Sequence, residues 1–196
     1  MAPRLSCIVS TYHRPLHLQL MLLSLRLQTE PNLEILVTDN SIDEEMRGHN
    51  DDACGLDSRI FYMRCGGTSC YRSGNIAARF AKGEYLCFPS DDGYYVPGFA
   101  ALMLEAAEKN SWDLVYCDLL DDPRQFGRYG VRDVKPALGH IDKTCYIVKR
   151  SVFLGMGGFP LEEKSNDWAA DWWLVEELIK CGVRHGKLNQ LLVVHN

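Results

Sequence analysis

The sequence predicts an α/β fold in which helices cover both faces of a mostly parallel, doubly wound, Rossmann-like sheet. Two observations support this fold class. Apolar, β-rich runs alternate with helical stretches along most of the chain, and the apolar runs end in polar residues. The 196 residues, of which 46% are hydrophobic and 24% charged, suit one soluble domain with a sizeable core. We therefore expect a single domain over residues 1–196.

The first strand is predicted at 4–10, and Pro15 suits the first turn of the helix that follows it. Next in order come strands at 33–40 and 58–65, a helix at about 73–82, a strand at 83–88, a helix at 97–110 and a strand at 113–120. Residues 121–140 have little periodicity and predict a long loop. The remaining predicted elements are a strand at 143–149, a short helix at 150–156, a helix at 171–182 and a strand at 190–196.

Composition argues against several classes of protein. The formal net charge of -5 and the lack of a run of Lys or Arg argue against a nucleic-acid partner. Eight scattered cysteines without a CxxC pair, several inside apolar runs, predict reduced thiols and a cytoplasmic protein. The N-terminus lacks the pattern of a signal peptide, and the Leu-rich stretch at 16–28 is too short and too polar for a membrane span.

Asp91 and Asp92 follow a buried strand directly, and two adjacent carboxylates there repel each other unless a partner compensates their charge. In an open parallel sheet, ligands bind beyond the carboxyl ends of the strands. Polar residues follow three predicted strands, at 11–14, 39–40 and 90–92. They could serve only as turn formers and helix caps. Taken together, they favour a shared site in which Mn²⁺ or Mg²⁺ compensates the carboxylates and binds the phosphates of a substrate.

Five segments of the chain resemble family 2 glycosyltransferases of the GT-A fold. The family pattern is an apolar strand, Pro-Thr-Tyr-Asn-Arg-Pro, a helix ending near Gln-Thr, a strand ending in Val-Asp-Asp/Asn-x-Ser, an Asn-rich helix and an Asp-x-Asp motif. The similar segments are 5–43, 73–98, 148–160, 170–182 and 191–196. The order of these segments along the chain is more specific for the family than any single segment. The resemblance implies a nucleotide-binding half at about 1–118 and an acceptor-side half at about 119–196.

Within this resemblance, Asp39 matches the acidic residue that recognises the nucleotide base, and Thr11 and Tyr12 match residues of the same pocket. Further residues assigned to the nucleotide-sugar site are Arg14, Ser90, Asp91, Arg72 and Asn75. The last two lie at the start of a predicted helix, where they could meet a phosphate or a sugar hydroxyl, or could serve as a solvated cap.

Asp92 matches the metal ligand of the Asp-x-Asp motif, and His195 matches a polar residue that completes the metal or diphosphate site. Asp171 matches the general base of inverting members. Two departures weaken the pattern. Ser90 replaces the first Asp of the motif, and Ala170 replaces the Glu of the family's Glu-Asp pair.

Three tryptophans flank Asp171. We expect Trp168 and Trp172 to contact a sugar, and Trp173 to pack in the core. The implied function is transfer of a sugar, with inversion, from a nucleotide-sugar, expected to be a UDP-sugar, to a carbohydrate or lipid-linked acceptor. Peripheral association with a membrane and the oligomeric state stay open. The alternatives are a nucleotide-sugar binding module that has lost activity and a nucleotidyltransferase, whose Gly-rich phosphate loop the chain lacks.

Overall fold

The computed structural model describes residues 2–121, 130–161 and 169–195. The strands are β1 (Leu5–Thr11), β2 (Leu33–Asp39), β3 (Ile60–Arg64), β4 (Tyr85–Cys87), β5 (Gly93–Tyr95), β6 (Leu114–Asp121), β7 (Gly130–Arg132), β8 (Tyr146–Lys149) and β9 (His185–His195). The helices are α1 (Pro15–Arg26), α2 (Glu44–Cys54), α3 (Cys70–Phe80), α4 (Phe99–Asn110), α5 (Arg150–Gly155) and α6 (Ala170–Lys180), and a 3₁₀ helix spans Lys143–Cys145.

One sheet contains all of the described strands, in the order β3-β2-β1-β4-β8-β6-β9-β5, and β7 pairs with β6 outside this series. The strands β3, β2, β1 and β4 are parallel. Beyond β4, the antiparallel pairings cover only two or three residues each, whereas the long pairing of β6 with β9 is parallel. The predicted α/β fold with a mostly parallel sheet is confirmed.

Much of the core lies around the first strands. All seven residues of β2 are buried, as expected for a central parallel strand covered on both faces. Helix α1 begins at Pro15 and buries the inner face that carries Leu18, Met21, Leu22 and Leu25. These contacts fix the carboxyl ends of β1 and β2 next to each other, because Thr11 pairs with Asp39 in the ladder.

Several elements differ from the prediction. Helix α2 and strand β5 were not expected, and β7 lies within the predicted long loop. The expected strand at 143–149 begins as a 3₁₀ turn, because the Asp142 side chain caps that turn by accepting the backbone N–H of Thr144 at 2.8 Å. Strand β9 begins at His185, five residues before its predicted start. Among the residues that the structure describes, no helix has the length and apolarity that crossing a bilayer requires.

Candidate active site

A cavity of about 520 Å³ opens at the carboxyl ends of β1, β2 and β4. It lies where an open parallel sheet normally binds its ligand. The predicted site residues in its wall are Thr11, Tyr12, Arg14, Ser90, Asp91 and Asp92. The structure therefore brings together the residues that follow β1 and β4, as the sequence suggested.

Protein groups already compensate the two adjacent carboxylates. The Thr11 hydroxyl donates to Asp91 Oδ2 at 2.8 Å, and the Tyr12 backbone N–H lies 3.4 Å from the same oxygen. The Arg14 guanidinium contacts Asp91 Oδ1 at 3.5 Å and Asp92 Oδ2 at 3.1 Å. One half-exposed arginine thus bridges both acids at the mouth of the cavity.

The surroundings shift the pKa values of the two carboxyl groups in opposite directions. Burial raises the pKa of Asp91, and the Asp92 charge beside it adds to the effect. Burial also acts to raise the pKa of Asp92, but the hydrogen bond and charge of His195 and the charges of Lys143 and Arg14 lower it to about 2. Asp92 is therefore the more acidic of the two carboxyl groups.

Asp92 and His195 face each other, with 3.6 Å between Oδ1 and Nε2, and their role as metal ligands stays a prediction. The ladder between β5 and β9 holds them there, because Gly93 is paired with His195. Burial lowers the pKa of His195, but Asp92 and Asp142 raise it above its ordinary value overall.

The pair offers a cation one carboxylate oxygen and one imidazole nitrogen. Asp92 Oδ1 is buried, and His195 Nε2, at 3.6 Å, is the side-chain group that faces it. No group of three or more His, Cys, Asp or Glu side chains within residues 2–121, 130–161 and 169–195 could hold a metal alone. Two protein ligands fit a cation such as Mn²⁺ that takes its remaining ligands from substrate phosphates and water.

Asp39 lies below the cavity wall. It has no exposed surface, and its carboxylate accepts the Ser41 backbone N–H at 2.8 Å, the Asn50 amide at 2.9 Å and the Tyr62 hydroxyl. Burial acts to raise the pKa of Asp39, but these hydrogen bonds lower it below its ordinary value. Asn40, the next residue, lines the cavity instead, so recognition of the base by Asp39 stays a prediction.

Asp171 lies in the first turn of α6 and is buried. Its carboxylate accepts the backbone N–H of Trp172 at 2.8 Å and that of Lys143 at 3.0 Å. Burial, aided by the charge of Asp142, raises the pKa of Asp171 to about 6. A carboxylate that titrates close to neutral pH is suited to general base catalysis.

Lys143 was not identified from the sequence. Its side chain is buried, and its ammonium donates to Ser90 Oγ at 2.6 Å and to the Phe88 carbonyl at 3.3 Å. The signal was a single lysine two residues before the apolar run at 145–148, where a buried charge requires a partner.

Arg72 and Asn75 lie elsewhere, in the wall of a second cavity of about 540 Å³ between α3 and α6. The Asn75 amide donates to the Phe159 carbonyl at 2.9 Å, and the Phe159 N–H donates to Asn75 Oδ1 at 2.8 Å. Asn75 thus joins α3 to the turn after α5, and the structure does not group it or Arg72 with the strand-end cavity. Their assignment to the nucleotide-sugar site has no support from this geometry.

The tryptophan expectations are partly wrong. Trp173 is 39% exposed and lines the second cavity, whereas Trp172 is half-buried and packs against the core. The buried positions of α6 include Asp171, Leu174 and Leu178, at helical spacing, which turns Trp173 outward. Trp168 lies outside the described residues.

Comparisons with known proteins identify the family of the chain. The model of the family "Glycosyl transferase family 2" matches residues 6–157. The Bacillus subtilis (strain 168) protein EpsH, whose name assigns it provisionally to the glycosyltransferases, is 25% identical over 147 residues, which are 74% of this chain and 42% of EpsH.

Two solved structures share the fold. The mannosyltransferase PcManGT from Pyrobaculum calidifontis, in complex with GDP-Man and Mn²⁺, has a TM-score of 0.78 and 19% identity, over 100% of this chain and 57% of that one. S. aureus TarS 1-349 in complex with UDP has a TM-score of 0.76 and 19% identity, over 97% of this chain and 60% of that one. The chain thus spans about half the length of these relatives. Because the family model covers most of it, the chain belongs to glycosyl transferase family 2.

Proposed function

We propose that the chain transfers a sugar, with inversion, from a nucleotide-sugar to an acceptor hydroxyl, with Asp171 as the general base. The observation that carries this proposal is the buried Asp171 carboxylate, whose pKa of about 6 leaves it able to take a proton near neutral pH. Lys143 connects it to the floor of the strand-end cavity.

In the proposed reaction, the acceptor oxygen attacks the anomeric carbon from the face opposite the leaving group. The bond between that carbon and the diphosphate oxygen breaks, the nucleoside diphosphate leaves, and Asp171 takes the acceptor proton. Arg14 is placed to meet the negative charge of the diphosphate, since its guanidinium lies half-exposed at the mouth of the cavity. Thr11 and Asp91 shape the wall beside it.

Asp92 and His195 are the residues that would hold Mn²⁺ or Mg²⁺. A divalent cation bound there would neutralise charge that develops on the leaving diphosphate. This assignment is supported by the oxygen and nitrogen donors 3.6 Å apart, and by the Mn²⁺ present in the structure of PcManGT.

The donor is proposed to be a UDP-sugar. Structures of TarS contain UDP or UDP-GlcNAc, whereas the structure of PcManGT contains GDP-Man, so the fold accommodates both nucleotides. The acceptor is proposed to be a carbohydrate or a lipid-linked molecule that approaches from the side of α6, where Trp172 is the proposed sugar contact.

A thermal-shift screen of UDP-, GDP-, dTDP- and CDP-sugars, with and without Mn²⁺, tests donor binding. We expect a Mn²⁺-dependent rise in Tm with UDP-sugars. Asp92→Asn should abolish the dependence on Mn²⁺, while the control Asp52→Asn, on the exposed face of α2, should behave as wild type. No shift with any donor would contradict the proposal, and a shift confined to another nucleotide would reassign the donor.

The second candidate is a binding module that has lost activity, which the departures at Ser90 and Ala170 favour. Release of UDP from a UDP-sugar, by hydrolysis or by transfer to any acceptor, distinguishes a glycosyltransferase from such a binding module. The binding module would bind the donor and release no UDP.

A further inference from the structure

Lys143 is a buried charged residue that the proposed reaction does not use. Its side chain is 8% exposed, at the first position of the 3₁₀ turn between the long loop and β8. Burial of an ammonium is costly unless partners compensate it. The contacts of Lys143 therefore indicate what the charge stabilises.

The side chain fixes the ends of two strands. Lys143 Nζ donates to Ser90 Oγ at 2.6 Å and to the Phe88 carbonyl at 3.3 Å, and it lies 3.5 Å from Ser10 Oγ. Ser10 is the half-buried penultimate residue of β1, and Ser90 immediately precedes Asp91. Since Ser10 and Ser90 line the strand-end cavity, the ammonium lies directly beneath its floor.

The backbone of the same residue holds the base. The Lys143 N–H donates to Asp171 Oδ2 at 3.0 Å, and the 3₁₀ turn that aims this N–H is capped by Asp142, which accepts from the N–H and the hydroxyl of Thr144 at 2.8 and 2.7 Å. Lys143 is thus bonded to the proposed base by its backbone and to the cavity floor by its side chain.

We propose that Lys143 is a positioning residue that sets the distance between the Asp171 carboxylate and the donor bound above Ser10 and Ser90. The inference rests on the proposed function. Displacement of a reacting group by about 1 Å can lower a rate by about 10²-fold. Removal of the ammonium should therefore slow the chemical step while the donor contacts of Thr11 and Arg14 remain.

The test uses wild type and Lys143→Met with the nucleotide-sugar that raises Tm most, and it measures release of nucleoside diphosphate to water, so no acceptor is needed. We expect kcat to fall by about 10- to 100-fold, with KM for the donor nearly unchanged. Lys109→Met, an exposed lysine on α4, is the matched control and should keep both constants.

A pH profile separates positioning from a general loss of structure. The groups that face Asp171 are Asp142, Lys143, Tyr71, Tyr146 and Cys145. Among them Lys143 supplies the positive charge, so Lys143→Met should move the acid limb of kcat to higher pH. Lys143→Arg keeps the positive charge and should return the acid limb of the pH profile to its wild-type position. Its kcat should lie between those of wild type and Lys143→Met. It also serves as the test if the Met variant does not fold.

Wild-type kcat and an unmoved acid limb in Lys143→Met would overturn the inference. So would a rise in KM with kcat unchanged, which would make Lys143 a donor-binding residue. An inactive wild type that still binds the donor would instead overturn the proposed transfer reaction, and the inference with it.

Discussion

At the scale of single residues, the environment of Asp171 determines its chemistry. The carboxylate is buried next to Asp142, and its pKa is raised to about 6. Asp171→Asn should lower kcat for nucleotide release by about 10²- to 10⁴-fold, because the amide cannot take a proton. Isothermal titration should show unchanged donor affinity. In wild type, kcat should fall as pH drops below about 6, where the base becomes protonated. Wild-type rates in the Asn variant would contradict the assignment.

Asp39 is also a buried carboxylate, but its pKa is lowered, whereas that of Asp171 is raised. Its pKa lies below the ordinary 3.8 because three donors stabilise the ionised form. Such a group contributes stability above its unfolded pKa, and the contribution is lost as pH falls through the folded value. Tyr62→Phe removes one donor from a fully buried anion, and should lower the free energy of unfolding by about 1–3 kcal/mol at pH 7.

Urea titrations at pH 7 and below pH 3 check this prediction. The difference between wild type and Tyr62→Phe should shrink at the acid pH, where Asp39 is protonated in the unfolded chain and increasingly so in the folded one. A difference that does not change with pH would mean that Tyr62 stabilises the fold by packing alone.

Much of the strand-end site could be predicted from the positions of polar residues in the sequence. Thr11, Asp91 and Asp92 follow apolar runs directly, and a parallel sheet brings such positions to one edge. Lys143 could not be found this way. Lys143 lies in a turn more than fifty residues after Asp92 and reaches the site through its long side chain. No local sequence pattern shows where that side chain points.

At the scale of elements, α2 shows why a helix can escape sequence analysis. Its residues include Gly48, Asn50 and Asp51, which are weak helix formers, and few of its side chains are buried. The remaining signal was Asp43, which caps the helix by accepting the Met46 N–H, followed by two glutamates in the first turn.

A substitution at Gly48 can measure how much low helix propensity reduces the stability of α2. It lies inside α2, and a Cβ added there would meet nothing within 4 Å. Gly48→Ala should therefore raise the free energy of unfolding by about 0.5–1 kcal/mol, since alanine loses less backbone entropy on folding. A urea titration followed by circular dichroism measures the change. Destabilisation would show that α2 is strained around this position.

Gly83, before β4, provides the contrasting case. An added Cβ would lie 2.6 Å from the Ser6 nitrogen and 2.8 Å from the Leu5 carbonyl carbon, both backbone atoms of β1. Gly83→Ala should push β4 away from β1 and cost about 1–3 kcal/mol. The same titration applies, with Gly48→Ala as the matched glycine control. An unchanged stability would mean that the loop relaxes without moving either strand.

The short strands were the least predictable elements. β5 and β7 contain three residues each, and each is defined by its antiparallel partner, β9 or β6, more than by its own sequence. Periodicity has no meaning over three residues. By contrast, β1 and β2, with seven apolar-rich residues each, were located to within one residue.

At the scale of the whole molecule, the two predicted halves are interleaved. β8 lies between β4 and β6, so a strand from the later half pairs with a strand from the earlier half. β5, from the earlier half, lies at the far edge against β9. The alternation of elements predicted the fold class, but it could not predict this order, since antiparallel insertion depends on contacts distant in sequence.

Interleaving predicts that the chain unfolds as one unit. Neither half can keep its whole sheet once the other unfolds, because β8 lies between β4 and β6 and β5 pairs with β9. Tryptophan fluorescence and far-ultraviolet circular dichroism should therefore give the same urea midpoint. Two separated midpoints would show that residues 1–118 and 119–196 are independent folding units.

The bridge from Arg14 to Asp91 and Asp92 has a thermodynamic consequence. Without ligands, Arg14 compensates part of the charge of both acids, so a cation that binds at the proposed site beside Asp92 must compete with the guanidinium for that carboxylate's charge. A diphosphate that arrives with the cation offers that arginine a new anionic partner. Each ligand then lowers the free energy of binding of the other by the same amount. If both ligands bind as proposed, we expect the arginine to couple them, with a lower cation affinity in the empty protein than in the donor-bound one.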